Sequence, residues 1–339
     1  NTIISAMKDD DQISIIKFST VAKSFAPLTR LSTNAKRSLM DRLETLVPEG
    51  QTNIWDGLRL AIDEIAQLRG PDLDANVQVY LLTDGEPTIT TPRSLPETVD
   101  NYLRVKNLQV PIVFNTFGYG YSLDSRLLYD VAKLGRGSFG YIPDSSMVGT
   151  VFINALSHSL LPRRAELLQS SDISVKAADM VAQSLTRALT VTGSGLPSPR
   201  EIVQTLAADI ASLIVSSRAL ETVDESVLAF LGDIWLDCSP NTDPSLGQID
   251  KAVQESYFSH WGRHYLFSVL SAYENYVCIN FKDRGMQHFR HADFIMEQTR
   301  IENLFIELPP PKPSNARGAT NRFYSSFAQS VNTTVQSSV

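Results

Sequence analysis

Two short loops carry side chains that could bind a metal ion. Asp84 follows the apolar run at residues 77–82, and Thr52 comes just before the helical pattern Ile54–Leu68. A carboxylate and a hydroxyl are hard oxygen ligands, which suit Mg²⁺ better than a soft metal. Because Mg²⁺ keeps several waters when bound, a site with few protein ligands can accept a partner's carboxylate as well. The two loops therefore indicate a binding site that needs no general base.

Each loop also has a purely structural explanation. Asp84-Gly85 after a strand is a common turn. Thr52 or Asn53 could simply cap the following helix, in whose first turn Asp56 would be favourable. In an open parallel sheet, however, ligands bind beyond the carboxyl ends of the strands, and both loops are expected at that edge.

The first 160 residues alternate between strand and helix patterns. We predict strands at Gln12–Phe18, Lys23–Leu28, Val77–Leu82, Ile112–Phe117 and Ser138–Ile142. We predict helices at Ala35–Leu46, Ile54–Leu68, Pro96–Val105, Leu123–Leu134 and Met147–Leu160. The run VQVYLL is almost continuously apolar, as strands buried on both faces are. This pattern predicts an α/β fold with a doubly wound, mostly parallel, Rossmann-like sheet.

After Pro162 the pattern becomes helical. Helical spacing is found at Ile173–Leu189, Pro199–Ser217, Val223–Leu236, Gly247–Tyr276 and Ala292–Phe305. We predict a first domain at 1–162, a linker at 163–171, an all-α domain at 172–313 and a disordered tail at 314–339, which is rich in Ser, Thr, Asn and Gln.

Composition narrows the class of function. The chain has 339 residues with 30 basic and 37 acidic side chains, a net charge of -7, and neither half has a basic excess. Nucleic acid is therefore a poor candidate for a partner. No apolar run reaches the roughly 18–20 residues of a membrane span. Its 2 cysteines form no C-x-x-C pair, which excludes a disulfide framework and a zinc ribbon, and we expect an intracellular, cytoplasmic protein.

Four separated segments resemble, in order, the von Willebrand factor A (vWA) domain. They are DQISIIKFSTVAKSFAPLTRLS, GQTNIWDGLRLAIDEI, LLTDGEPT and FGYGYSLDSRLLYDVAKLGRGSFGYI. The resemblance implies a metal-ion-dependent adhesion site (MIDAS), with Thr52 and Asp84 as Mg²⁺ ligands. It also implies that Asn53, Gly85 and Glu86 face a protein partner that presents a carboxylate.

One part of the family pattern has no counterpart. The first strand and its D-x-S-x-S loop, which supply the remaining metal ligands, are missing from the sequence. That strand is central in the family, so its loss should leave a gap of about 10 Å or force the sheet to close up. We therefore interpret the chain, which begins at Asn1, as a fragment or an incomplete gene model. Mg²⁺ is expected to bind only when the strand and loop are restored.

The helical half resembles a second family, the "VWA / Hedgehog protein intein-like" (Vwaint) domain. The segments are DIWLDCSPNTDPSLGQIDKAV, SHWGRHYLFSVLSAYENYVCINFKDRGMQHF and NLFIELPPPKPS. Relatives often carry a RING, U-box or intein-like autoprocessing module elsewhere, and none is visible here. The main hypothesis is a non-enzymatic protein-interaction module. The alternative is the substrate-recruiting region of a ubiquitin ligase whose catalytic module lies outside this fragment.

Other motifs are weaker. His260 and His264 are four residues apart, a spacing that could bind zinc, but the glutamate of H-E-x-x-H is missing and aromatic neighbours favour packing. Pro310–Pro313 contains one P-x-x-P spacing, which is more typical here of a linker than of an SH3 ligand. A nucleotide-binding or hydrolase domain is disfavoured, since G-x-x-x-x-G-K-[ST], G-x-G-x-x-G and G-x-S-x-G are absent from the sequence.

Overall fold

The computed structural model describes residues 1–47, 49–161, 172–219, 223–240, 243, 247–280 and 283–308. The strands are β1 Gln12–Phe18, β2 Ala22–Arg30, β3 Val77–Thr83, β4 Ile112–Tyr119 and β5 Phe139–Ile142. The helices of the first half are α1 Thr2–Ala6, α2 Thr33–Leu43, α3 Ile54–Ile65, α4 Leu95–Lys106, α5 Ser125–Leu134 and α6 Ser145–Ser159. Those of the second half are α7 Ile173–Thr190, α8 Pro199–Arg218, α9 Glu225–Cys238, α10 Gln248–Ala252, α11 Glu255–Tyr257, α12 Arg263–Asn275, α13 Arg284–Gln287 and α14 Ala292–Glu307.

Side-chain caps fix where many of these helices begin. The N-cap side chain accepts a hydrogen bond from the backbone N–H of the first turn at Ser32, Asn53, Ser94, Asp124, Asp144, Asp172, Ser198, Asp224, Asp283 and His291. Each such bond satisfies an N–H that has no partner within the helix. Ser198 and Glu201 also form a reciprocal capping box at the start of α8.

The strands form two separate sheets. β1 and β2 pair antiparallel, and β3, β4 and β5 form a parallel sheet in that order. In the parallel sheet Val77 lies opposite Ile112, and Thr116 lies opposite Phe139. These strands with the surrounding helices, followed by a helical region, confirm the predicted fold class.

A gap separates β1 from β3. The two strands have 7 residues each. At the start of β1, Gln12 Nε2 donates to Asp72 Oδ1 at 2.8 Å, in the segment before β3. After the end of β1, Ser19 O accepts from Asn53 N–H at 2.9 Å, in the loop before α3. Over most of their length, though, their Cα traces run more than 8 Å apart, whereas paired strands are about 4.8 Å apart. The sheet has therefore stayed open where the missing strand was expected.

Helix α1 bridges this gap. Ile4 packs into an apolar cluster with Ala26 of β2 and Leu39 of α2. Ala6 packs into a second cluster with Leu156 of α6, against which Tyr80 of β3 lies. The two sheets are thus joined through side chains rather than through backbone hydrogen bonds.

Helix α12 lies against the outer edge of β5. Ser271 Oγ accepts from Phe139 N–H at 2.9 Å, and Ser268 Oγ accepts from Tyr141 N–H at 3.2 Å. One apolar core includes Leu58 of α3 and Phe267 of α12, so the helical region packs directly on the sheet. The predicted linker 163–171, the tail 314–339 and the Pro310–Pro313 motif lie outside the described residues.

The segment Gly247–Tyr276, which shows helical spacing throughout, is divided into α10, α11, a π-helix at Phe258–Gly262, and α12. Gln254 adopts an extended conformation with ψ 140°, which breaks the helix. A Cβ at Gly262 would lie 2.1 Å from Ala252 O, so the break lets two segments cross more closely than a side chain would allow. The other predicted elements are present with ends moved by a few residues. Across the described ranges, no helix combines the length and the apolar character needed to cross a membrane.

Candidate functional site

The two loops singled out from the sequence are joined by three hydrogen bonds, two between backbone groups and one to a side-chain hydroxyl. Thr52 N–H donates to Thr88 Oγ1 at 2.8 Å, and Thr88 N–H donates to Thr52 O at 3.0 Å. Ile89 N–H also donates to Thr52 O at 3.3 Å. The loop before α3 and the loop after β3 therefore form one surface at the carboxyl edge of the sheet, which we call the rim (residues 52–53 and 84–88).

The hydroxyl of Thr52 lies beside Gly85. A Cβ placed on Gly85 would have Thr52 Oγ1 at 3.9 Å as its one neighbour within 4 Å. Asp84 and Glu86 on either side of Gly85 are exposed. Thr83 shapes this turn, because its Oγ1 donates to Gly85 O at 3.1 Å and accepts from Gly85 N–H at 3.4 Å. The rim thus presents a hydroxyl and carboxylates on adjacent loops.

Asn53 holds the rim in place. Its Oδ1 accepts from Asp56 N–H at 3.1 Å and so caps α3, while its Nδ2 donates to Thr20 O at 3.1 Å. Both ends of the amide are engaged. The helix-capping explanation therefore applies to Asn53, whereas Thr52 has its hydroxyl turned towards the turn at Gly85.

Charged groups fix the orientation of α3. Asp56 accepts from Ala22 N–H of β2 and from Arg59, each at 2.7 Å. Burial alone would raise the pKa of Asp56, but these hydrogen bonds lower it. Burial would also raise the pKa of Asp63. This pKa is lowered instead, because the carboxylate pairs with Lys106 of α4 at 2.6 Å. The bond between Asp56 and Ala22 anchors the start of α3, and with it Thr52, to β2, whereas the Asp63–Lys106 pair anchors the end of α3 to α4.

The helical region reaches the same edge. Ser125, at the start of α5, and His264 of α12 are hydrogen-bonded, with Oγ and Nδ1 2.7 Å apart, and both are buried. Burial lowers the pKa of His264, although the ring also donates to the Tyr121 carbonyl and feels the carboxylates of Asp124 and Glu86. His264 is therefore a packed histidine next to the rim, as the aromatic neighbours of the His260–His264 pair indicated.

Two family models match separate parts of the chain. The family model described as "von Willebrand factor type A domain" matches residues 1–86, and the one described as "VWA / Hh protein intein-like" matches residues 201–303. The chain carries a vWA domain and a Vwaint domain. At the family level, vWA domains are protein-interaction modules and are generally non-catalytic.

Two solved structures are similar to the chain. The first, von Willebrand factor type A from Catenulispora acidiphila, is 18% identical with a TM-score of 0.41, over 47% of this chain and 36% of that one. The second, proximal thread matrix protein 1 from the mussel byssus, is 16% identical with a TM-score of 0.36, over 52% of this chain and 48% of that one. The chain spans less than half the length of either. No curated protein matches it.

The rim of the vWA domain fits part of a magnesium site. Thr52 and Asp84 are hard oxygen donors on adjacent loops, as Mg²⁺ prefers. Within the described residues, however, no three His, Cys, Asp or Glu side chains come close enough together to hold a metal ion. The described part of the rim thus offers Mg²⁺ two oxygen donors, the hydroxyl of Thr52 and the carboxylate of Asp84, and no complete set of ligands.

Sequence reasoning missed three residues of this region. Thr88, which joins the two loops, stands inside the LLTDGEPT segment, and its hydroxyl was an available signal. Ser125 could have been found, since it follows Asp124 at the carboxyl end of β4. His264 could not be placed at the rim from its own sequence, because its position depends on how α12 packs against the sheet.

Proposed function

We propose that the chain is a non-catalytic protein-interaction module whose partner surface is the rim of the vWA domain. Thr52, Asp84, Gly85 and Glu86 form that surface, and Asn53 positions it. The observation that carries the proposal is the pair of hydrogen bonds between Thr52 and Thr88, which brings a hydroxyl and a carboxylate-bearing loop together at one exposed edge.

We further propose that Thr52 and Asp84 hold Mg²⁺ once additional ligands are supplied. The ion would provide an open coordination position for a carboxylate of the partner protein. The gap between β1 and β3 is the place where such ligands would enter, because a strand there would end at the same edge as Ser19 and Thr83. Without that strand, Asp84 is the one carboxylate that the family resemblance assigns to the ion, so binding to the present chain should be weak.

Calorimetry tests this function. Mg²⁺ is titrated into the chain and into a version extended at its amino terminus by an apolar strand, a D-x-S-x-S loop and a connecting helix. The extended chain should bind Mg²⁺ more tightly. Asp84→Asn in the extended chain should weaken binding by roughly 10- to 100-fold or more, since even a change outside the ligand shell has an effect of that size.

The control is Asp41→Asn, which neutralises an exposed carboxylate on α2. It should leave Mg²⁺ affinity unchanged and so exclude a general charge effect. Equal affinities for the extended chain, its Asp84→Asn variant and the control would reject the metal role of Asp84. Circular dichroism of each variant verifies that the comparison is made between folded proteins.

A further inference from the structure

Two carboxyl groups are buried side by side in the helical region. Asp237, near the end of α9, is 4% exposed, and Asp283, the N-cap of α13, is 0% exposed. An isolated carboxylate is very costly to remove from water. A buried pair of them therefore requires a compensating cation, a full set of hydrogen-bond donors, or a proton.

Donors account for three of the four carboxyl oxygens. Asp283 Oδ1 accepts from Met286 N–H at 3.1 Å, and Asp283 Oδ2 accepts from Tyr265 Oη at 2.9 Å. Asp237 Oδ1 accepts from Gln248 N–H at 3.0 Å. Asp237 Oδ2 is buried and finds no donor among the described residues. Asp283 lies close enough to Asp237 for its charge to raise the pKa of the Asp237 carboxyl group, so the two carboxyl groups are neighbours in this core.

A hydrogen bond between two carboxyl groups needs a proton, because an ionised carboxylate can only accept. No cation offers an alternative within the described chain. Neither Asp237 nor Asp283 forms an ion pair there, and no metal-binding cluster is found in the same residues. The oxygen of Asp237 that lacks a donor is explained if it, or the carboxyl group facing it, is protonated.

The groups around the pair disfavour a second negative charge. Asp233 of α9 pairs with His288 at 2.7 Å, and Asp250 of α10 lies 3.7 Å from Arg200 of α8. The negative charge of the pair also raises the pKa of neighbouring thiols and phenols, namely Cys238 of α9, Tyr265 and Tyr273 of α12, and Cys278 after α12. The charge of Arg290 acts on Cys278 in the opposite direction. Arg200 and His288 each have another carboxylate partner, and Arg290 donates to Gln298, so no cation pairs with Asp237 or Asp283 within the described residues.

We propose that Asp237 and Asp283 share one proton in the folded protein at neutral pH, and that this proton locks the packing of α9, α10, α12 and α13. The pair connects these four helices through the bonds to Gln248, Tyr265 and Met286. Loss of the proton leaves two adjacent carboxylates in an apolar core. Raising the pH therefore loosens the helical region while the rim keeps its own bonds.

The direction of the pKa shifts agrees with this geometry. Burial, and then the charge of Asp283, raise the pKa of Asp237 well above its usual range. Burial also raises the pKa of Asp283, against the opposing hydrogen bonds from Met286 and Tyr265. A group whose pKa is higher in the folded chain stabilises that state fully at low pH. This stabilisation is lost as the pH rises through the folded-state value.

Denaturant unfolding of the whole chain between pH 5 and pH 9, by roughly unit steps, tests the proposal. The wild-type chain should become easier to unfold as the pH rises, by up to about 10-fold in the unfolding equilibrium constant per pH unit for a single shared proton. Asp237→Asn should lose this component, because an amide donates a hydrogen bond to Asp283 and cannot ionise. Asp209→Asn, an exposed carboxylate on α8, is the matched control and should follow the wild type.

Parallel pH profiles for the wild type and Asp237→Asn would overturn the proposal. A second measurement does not depend on the variant folding. Infrared spectra of the wild-type chain labelled with ¹³C-carboxyl aspartate should contain the C=O band of a protonated carboxyl group at pH 7. Absence of that band in the folded protein would also overturn it.

Discussion

The backbone N–H of Phe139 donates a 2.9 Å hydrogen bond to the hydroxyl of Ser271, so a helix closes the outer edge of the three-stranded sheet. Ser268, one turn earlier on the same helix, accepts from Tyr141 N–H and donates to Phe139 O. An unpaired strand edge exposes backbone groups that can pair with other chains. Here the hydroxyls of Ser268 and Ser271 pair with these backbone groups in place of another strand, so the stability of the sheet depends on the helical region.

Replacing Ser271 by alanine should destabilise the whole chain. The change leaves the N–H of Phe139 buried without a partner, since Phe139 is 0% and Ser271 1% exposed. The free energy of unfolding should fall by about 1–3 kcal/mol, the cost of an unsatisfied buried donor. Urea unfolding followed by circular dichroism measures it. Ser38→Ala, on the exposed face of α2, is the control, and a loss no larger than in this control would show that α12 holds the edge through apolar contacts alone.

The joint between the two rim loops can be tested without a ligand. Thr88→Val keeps the shape of the side chain but removes the acceptor of Thr52 N–H. Because Thr88 is exposed, the local stability should fall by only about 0.5–1.5 kcal/mol. Hydrogen exchange at the Thr52 amide should become faster by the corresponding factor. Thr90→Val, two residues along the exposed loop, should leave that amide unchanged, and equal exchange in both variants would mean that the loops are held together by other contacts.

The strands and most helices could be predicted because local sequence determines them. VQVYLL is apolar enough to be a buried strand, and a capping side chain such as Asn53 marks the start of α3. The interruption of the sheet could also be expected, since the central strand was absent from the sequence. These features depend on neighbours within a few residues, or on the family order of strands.

The remaining features depend on tertiary packing. Helical spacing continues through Gln254, so the pattern could not reveal the extended residue that interrupts the helix between α10 and α11. In the sequence, Ser268 and Ser271 are simply two small polar residues in an apolar helix. Their role as acceptors for the backbone of β5 follows only from the packing of α12 against that strand. Likewise, the sequence placed Thr52 and Asp84 near one edge but could not show Thr88 joining their loops.

Gly85→Ala should separate folding from binding. The new methyl group would lie 3.9 Å from Thr52 Oγ1, an ordinary contact, so the free energy of unfolding should change by no more than about 0.5 kcal/mol. The same methyl group would cover the Thr52 hydroxyl, so Mg²⁺ affinity of the strand-extended chain should fall. Thermal unfolding and calorimetry on one preparation measure both quantities.

Gly137→Ala provides the contrast to Gly85→Ala. A Cβ at Gly137 would lie 1.8 Å from Phe114 O, so this variant should lose stability at a site far from the rim. If Gly85→Ala instead lowered stability as Gly137→Ala does, the space beside Thr52 would be needed for folding. If Gly85→Ala left Mg²⁺ affinity intact, the Thr52 hydroxyl would not be a ligand.

The contact between Ser125 and His264 should make the chain sensitive to acid. His264 is 9% exposed, and burial lowers its pKa in the folded chain. The unfolded chain, with a histidine pKa of about 6.5, then binds the proton more tightly than the folded chain does. The stabilisation is present above about pH 6.5 and is lost as the pH falls towards the lower folded-state pKa.

His264→Asn should remove this acid-sensitive component and, through the lost bond to Ser125, also lower stability by about 1 kcal/mol at neutral pH. Denaturant unfolding between roughly pH 5 and pH 8 measures the difference between the variant and the wild type. The difference is needed because the proposed Asp237–Asp283 proton makes the folded chain more stable as the pH falls, whereas His264 makes it less stable over the same pH range. His260→Asn, an exposed histidine near Tyr121, is the matched control. A constant difference between wild type and His264→Asn at every pH would show that His264 binds its proton equally well in both states, and that its contact with Ser125 is independent of charge.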